Sequence, residues 1–419
     1  MGVATTYNPT GNVGARPSGA GEPESPLLSS FFARFNAILL AAVFAAPPAF
    51  SADPPPETTS PPTFAPTTVV TPLRDAPAAP PAGALSAPER KPIAAGPVPH
   101  VALILPLSSP TFGRVADAVR QGFLAAGKVA GVNALPVRIY AAIDDGAAVL
   151  ELCRKAQAEG AVLVVAGLTR DGASGLSRSD CPRQPTLVLN QPQEAQMPAR
   201  MYSISLAAEQ EARQAALMAI NDGWRSAIVI ASASPLARRV ADAFEREWGR
   251  AAGEARRVAF SGGVEEAPAI KERIAALRGD MVFLALDQAA TRAVRPYISA
   301  TLPIYTTSLG VDPRADATVN VDLEGVRYVD MPWFVQPDHP AVMVYPQPST
   351  PMAVEQERLY ALGIDAYRIC GLLLQAEARS YSLDGVTGRI TLDADRHFVR
   401  TLVPAGFDAG RAVPLQPAQ

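Results

Sequence analysis

Hydroxyl and amide residues recur in this 419-residue chain where short apolar runs end. Ser108-Ser109 follow 101-VALILPL-107, Leu168-Thr169-Arg170 follow 161-AVLVVAG-167, and Asn190-Gln191 close 186-TLVLN-190. Further along, Ser232-Ala233-Ser234 end 226-SAIVIAS-232, Asp287 ends 280-DMVFLALD-287, and Ser308 lies in 303-PIYTTSLG-310. Hydroxyls and open backbone N–H groups at helix starts suit a carboxylate, and Arg170 offers a charged clamp. Ser108, Ser109, Leu168, Thr169, Asn190, Ser232 and Ser308 are therefore the candidate ligand contacts. The same positions serve as plain helix caps, because Ser and Thr accept from the N–H groups that a helix start leaves open. Arg170, next to Asp171, also reads as a solvated surface charge.

Other chemistries fit poorly. A dinucleotide fingerprint wants G-x-G-x-x-G directly after a strand. The first turn here is S-S-P-T-F-G, and Pro110 removes an N–H that a pyrophosphate would use. Asp144-Asp145 follow the second run but mean little alone, and no P-loop occurs. A hydrolase of α/β type needs G-x-S-x-G with Asp and His partners, whereas 172-GASG-175 has the wrong spacing. The three histidines, His100, His339 and His397, fall outside the strand-end loops. The three cysteines, Cys153, Cys181 and Cys370, have no zinc-site spacing. Catalytic residues, metal ligands and cofactors are accordingly expected to be none, and the chain is not expected to be an enzyme.

The elements that must position these loops are legible. The runs 101–107, 136–141, 161–167 and 186–190 are nearly continuously apolar, as strands covered on both faces are. Between them lie 112-FGRVADAVRQGFLAAGKVAG-131 and 145-DGAAVLELCRKAQAEG-160. In the first helix Val115, Val119, Phe123 and Ala126 make one apolar stripe. Gly131 and Gly160 sit where helix-ending glycines sit. This is a βαβαβ pattern and implies a parallel, doubly wound sheet. After 201-MYSISLAAEQEA-212 the alternation restarts, with strands at 226–232, 256–262, 280–287 and 303–310 and helices at 209–222, 234–252, 266–278 and 288–300. In such sheets ligands bind beyond the carboxyl ends of the strands, where strand order reverses. The last third holds an extended piece at 325–334, a Pro-rich loop to Pro351, a long helix within 353–379 and a turn-rich β tail at 384–407. Cys153 and Cys181 fall in one lobe, so a bond between them is open, while Cys370 reads as a buried thiol on the long helix.

Composition separates the first quarter from the rest. Of 41 prolines, 20 lie in the first 100 residues. Arg34, a short apolar run and a small-residue exit near Ser51 read as a secretory leader, too short to span a bilayer. Residues 53–98 are Pro/Ala/Thr-rich and read as a semi-extended tether that cannot bury enough surface to fold alone. A net charge of −3 with no Lys/Arg run argues against a nucleic-acid surface.

The stretch from His100, with its P-L-S turn and a helix carrying R-Q-G-F, resembles the start of the type I periplasmic binding proteins, and 385-GVTGRITLDADRHF-398 resembles their closing segment. Within that superfamily five blocks resemble the C-terminal domain of LpoA-type penicillin-binding protein activators: 203-SISLAAEQEARQAA-216, 233-ASPLARRVADAFEREW-248, 323-LEGVRYVDMPWF-334, 357-ERLYALGIDAYRI-369 and 385-GVTGRITLD-393. Tyr360, Gly363, Asp365 and Ala366 make the fourth block the most specific.

The resemblance implies an α/β fold of two doubly wound Rossmann-like lobes joined by crossovers. The expected organisation is an N-terminal extension and leader over 1–52, a tether over 53–98 and a binding-protein-like domain over 99–415. Lobe 1 would take about 99–203 and 335–380, and lobe 2 about 204–325 and 381–415. The implied function is contact with a bifunctional penicillin-binding protein that promotes peptidoglycan synthesis from the periplasm. The alternative is a solute-binding protein handing an amino-acid-like ligand to an ABC permease. Two departures stand beside the resemblance. The tether occupies the place of the family's helical-repeat domain, and no anchoring Cys follows the apolar run, which leaves outer-membrane association open.

Overall fold

The structure, a computed structural model, describes residues 97–416 apart from 182, 194–195, 252 and 376–380. The expected leader and all but the end of the expected tether lie outside the described residues.

Strands and helices alternate from the start: β1 (His100–Leu105), α1 (Gly113–Ala130), β2 (Val137–Ala141), α2 (Ala147–Ala158), β3 (Ala161–Ala166), α3 (Arg170–Ser177), β4 (Thr186–Val188) and β5 (Met201–Ile204). The alternation then continues through α4 (Ala208–Asn221), β6 (Ala227–Ser232), α5 (Pro235–Ala251), β7 (Ala255–Phe260), α6 (Ala267–Ala276), β8 (Met281–Ala285), α7 (Gln288–Val294) and β9 (Ile304–Thr306). The last third holds α8 (Ala317–Asn320), β10 (Val326–Asp330), α9 (Pro332–Val335), α10 (Pro340–Met343) and α11 (Val354–Leu374). Five strands end the chain: β11 (Ser382–Gly385), β12 (Gly388–Leu392), β13 (His397–Thr401), β14 (Val403–Asp408) and β15 (Arg411–Pro414).

These strands form two sheets, ordered β11-β12-β13-β5-β4-β3-β1-β2 and β15-β14-β10-β9-β8-β6-β7. Pairing from β2 through β5 and from β7 through β10 is parallel. Order reverses between β1 and β3 in the first sheet and between β6 and β8 in the second. Two doubly wound lobes are thus present, matching the type I periplasmic binding protein fold. Every residue of β1 and β8 is buried, as sheets covered on both faces require.

The tail corrects the expected lobe boundaries. It does not belong wholly to lobe 2: β13 pairs with β5 in the first sheet (His397 opposite Ser203), whereas β14 pairs with β10 in the second (Tyr328 opposite Ala405). The chain changes sheet at Leu402, whose side chain is buried. A β tail shows its period in sequence, but its partner strand is chosen by which sheet has an open edge nearby. Similarly, 326–330 is a strand of the second sheet, beyond the expected limit at 325.

The long helix α11 packs on α1 in the first lobe at unusually short range. A Cβ on Gly122 would stand 1.8 Å from the Tyr360 carbonyl oxygen, and one on Gly363 would stand 2.2 Å from that of Val119. Only glycine admits backbones this close. Phe123 meets the Tyr367 ring edge-on at 5.2 Å in the same seam. In the second lobe Phe244 stacks on Phe283 at 4.0 Å and on Trp248 at 5.5 Å. Cys153 and Cys181 are joined in a disulfide that ties α2 to the segment after α3, and Cys370 is a buried free thiol on α11.

Candidate functional site

Loops from both lobes meet in one hollow of about 390 Å³. Leu168, Arg170 and Asn190 border it from the first sheet, Leu236, Arg239 and Leu309 from the second, and Leu359 and Leu362 from α11. A second hollow of about 340 Å³ adjoins it through Leu236 and Leu309, and lies against the loops after β6 and β8.

The structure divides the predicted contacts between these places. Leu168 and Asn190 border the first hollow and Ser232 the second. Ser108 and Ser109 border neither. Ser109 instead accepts from the Phe112 N–H at 3.2 Å, and the exposed Ser108 donates its N–H to the Ala142 carbonyl at 3.0 Å. Thr169 caps α3 by accepting from the Gly172 N–H, while its own N–H donates to Asp145. Burial pushes the Asp145 carboxyl up, and the Thr169 donors pull the other way. Asn190 donates to the Leu168 carbonyl at 3.0 Å and accepts from the Gln191 N–H at 2.9 Å. Ser232 donates to Ser234, and Ser234 accepts from the Ala237 N–H. Ser308 is 4 % exposed and donates its N–H to Glu211 at 3.0 Å. The first lobe's loops have thus largely spent their polar groups on their own backbone.

Arg170 is neither a ligand clamp nor a free surface charge in this structure. It meets Glu209 at 3.3 Å, and Arg239 meets the same carboxylate at 2.8 Å. Arg170 starts α3 in the first lobe and Arg239 lies on α5 in the second, so Glu209 bridges them. Burial works to raise the Glu209 carboxyl, yet its own backbone N–H, Arg239 and Arg170 hold it below the usual range.

The larger omission from the sequence reading is a buried ionic network where the chain crosses between lobes. Arg358 on α11 forms a two-pronged ion pair with Asp330 at the end of β10, and lies 4.7 Å over the Phe334 ring. Arg314 pairs with Glu357, which also accepts from the Trp333 indole at 2.8 Å. Asp365 accepts from the Val386 N–H, the Thr387 N–H and the Thr387 hydroxyl, at 3.1, 2.8 and 2.7 Å. Arg400 donates to the Ser205 and Thr387 carbonyls. Burial pushes the Glu211 and Asp365 carboxyls up, against the pull of nearby arginines. A buried charge persists only when paired, so this network fixes the path of the crossovers. Its signal in sequence was the set Glu357, Arg358, Asp365 and Arg368 in a helix that is otherwise apolar or aromatic after Gln356.

The nearest approach to a catalytic pair is Ser203 and His397, whose Oγ and Nδ1 lie 2.6 Å apart. They are register partners on β5 and β13, and Ser203 is 2 % exposed, so the contact is a cross-strand hydrogen bond. Among the described residues no cluster of His, Cys, Asp and Glu could hold a metal ion, and no helix is long and apolar enough to cross a membrane.

The chain matches the family described as "LppC putative lipoprotein" over residues 91–277 and 275–410. Curated relatives carry the name penicillin-binding protein activator LpoA. That of Photobacterium profundum is 24 % identical over 329 residues, covering 70 % of this chain and 53 % of the relative. That of Vibrio cholerae serotype O1 is 25 % identical over 333 residues, covering 70 % and 54 %. The chain thus spans about half the length of the curated relatives it matches. Among solved structures, a "putative branched-chain amino acid ABC transporter" from Chromobacterium violaceum is 36 % identical with a TM-score of 0.64, covering 74 % of this chain and 99 % of that one. The LpoA (YraM) C-domain from Haemophilus influenzae, "a regulator of PBP1A", shares the fold at 20 % identity and a TM-score of 0.63, covering 76 % and 100 %.

Proposed function

The chain belongs to the LppC family, and on that premise we propose that it is a non-enzymatic activator of a penicillin-binding protein, promoting peptidoglycan synthesis by protein contact. The partner in this reading is a bifunctional synthase. The domain acts from the periplasm, carried out by the leader over 1–52 and held on the tether over 53–98. The Cys153–Cys181 disulfide supports an exported location, since such bonds persist in oxidising compartments.

The observation that carries the reading is the state of the first lobe's loops. A solute carrier needs open donors there for its ligand, whereas the Asn190 amide donates to the Leu168 carbonyl, the Thr169 N–H donates to Asp145, and Arg170 is held by Glu209. A cleft whose first-lobe donors are engaged in this way leaves the outer surface as the place for a partner. The test adds purified domain to a bifunctional penicillin-binding protein and follows glycan polymerisation and crosslinking. Stimulation that saturates near one domain per synthase is expected. Absence of both binding and stimulation across synthases from the same bacterium would refute it.

A second reading, delivery of an amino-acid-like solute to an ABC permease, draws support from the 36 % identical transporter-named structure that the chain covers almost end to end. A thermal-shift screen with branched-chain amino acids separates the two. Ligand that binds only the folded state raises the melting temperature, so a clear shift with no synthase binding would reverse the order.

A further inference from the structure

Among the described residues the first sheet ends at β2, and no strand covers its outer edge. The Val101 N–H donates to the Pro136 carbonyl and the Ala142 N–H to that of Leu105, so alternate residues of this stretch face β1. Val137, Ile139 and Ala141 therefore turn their N–H and carbonyl groups outward. The other sheet ends are guarded by charge or proline, as edges commonly are. β7 carries Arg256 and Arg257, β15 carries Arg411 and Pro414, and β11 carries the exposed Asp384. On β2 the one charge, Arg138, lies 3.8 Å from Glu159. Ile139 is 41 % exposed, and Val132 before the strand and Ile143 after it are exposed as well. Open backbone groups lined by apolar side chains are a template for one more strand.

A segment of this same chain fits that edge. The described residues begin one strand away from it. The Pro97 ring packs so near Gly160 that a Cβ there would stand 2.9 Å from it, and His100 Nδ1 donates to the Val98 carbonyl at 2.8 Å. β1 then sets Val101 opposite Val137, the first residue of β2. In the Pro-rich residues 53–98, 67-TTVVT-71 is the longest run of β-branched residues, and Pro66 and Pro72 bracket it. Such residues favour strands, and prolines at its ends suit a strand to an edge. Val69 and Val70 are adjacent, so either register puts one valine on the face of Ile139. The 25 residues from 72 to 96 span about 25–30 Å as a random coil, against about 17 Å for a five-residue strand.

We infer that residues 67–71 add to the free edge of β2 as a ninth strand beside the eight of the first sheet. A second copy fits less well. Antiparallel pairing of β2 with itself about Ile139 would set two Arg138 side chains as diagonal neighbours on one face, whereas 67–71 carries no charge. With the strand docked, residues 72–96 close into a loop and only those before 67 hold the domain at a distance. Docking and release of the strand thus set the reach of the tether. The inference does not rest on the activator reading.

Hydrogen exchange of the full chain, read by mass spectrometry on peptides over 66–72 and 137–142, tests it. Both peptides are expected to exchange about tenfold or more slower than an unstructured chain. Replacing Val69 and Val70 together by Pro removes the N–H that faces β2 in either register. Both peptides should then lose protection, while a peptide over β8 keeps its own and shows the domain folded. Ile139→Lys alters the exposed edge without touching the segment, and should speed exchange at 66–72 in the same way. Exchange at 66–72 as fast as an unstructured chain, or protection at 137–142 unchanged in the double proline variant, would overturn the inference. Protection at 137–142 that grows with protein concentration would assign the edge to a second copy and overturn it equally.

Discussion

Replacing Cys153 and Cys181 together by alanine removes a covalent tie between residues 28 positions apart. Cross-linking two points of an unfolded chain lowers its entropy, and for a loop of that size the chain-entropy relation gives about 12 cal/mol/K, or roughly 3.6 kcal/mol at ordinary temperature. Both sulfurs are buried, so the variant also loses packing on α2 and around Cys181. An unfolding entropy near 2.1 cal/mol/K per residue over roughly 320 residues converts the loss to a melting temperature lower by about 5 °C. The shift is about twice that if the first lobe melts alone. Two measurements check the reasoning. Denatured, unreduced protein should titrate one thiol, that of Cys370, and urea unfolding of the double variant should have its midpoint somewhat below that of reduced wild type, which keeps the two buried sulfurs. Three titratable thiols in material from an oxidising compartment, or a double variant as stable as oxidised wild type, would refute the role given to this bond.

Further outcomes follow from the crossover network and the helix seam. Asp330→Asn leaves Arg358 buried beside a neutral group and should cost about 3–5 kcal/mol in urea unfolding; a loss under 1 kcal/mol would contradict the pairing. Gly363→Ala forces a methyl against the Val119 carbonyl and should destabilise by about 1–3 kcal/mol or more, whereas Gly371→Ala, whose Cβ meets nothing nearby, should not. Glu209 sits below its usual value of about 4.5 in the folded state. The stability it contributes is therefore present above that pH and lost as pH falls through the folded value. Acid titration should separate the lobes in small-angle scattering as the Arg170–Glu209–Arg239 bridge protonates. Glu209→Gln should already resemble the acid form at neutral pH, and identical scattering profiles across pH for wild type and variant would sink the bridge.

The sequence by itself determined the two alternating β/α units, the apolar strands and the loops that follow them. Continuous apolar runs and helical stripes report which face of a local segment is buried, and burial on both faces dictates layered sheets. It also marked the block around Tyr360, Gly363 and Asp365 as distinctive, without the cause. Only the tertiary structure supplied that cause: Gly363 lets α11 touch the α1 backbone, and Asp365 ties α11 to the Val386–Thr387 turn. It alone split the tail between sheets at Leu402, paired Cys153 with Cys181, and set Arg170 on Glu209 instead of on a ligand. Each of these is a choice of partner between segments far apart in the chain. Local periodicity carries no information about such choices, which depend on where the packed layers bring the segments. For the same reason Ser108 and Ser109 looked equal to Ser232 as strand-end contacts, yet of the three it is Ser232 that borders one of the two hollows described.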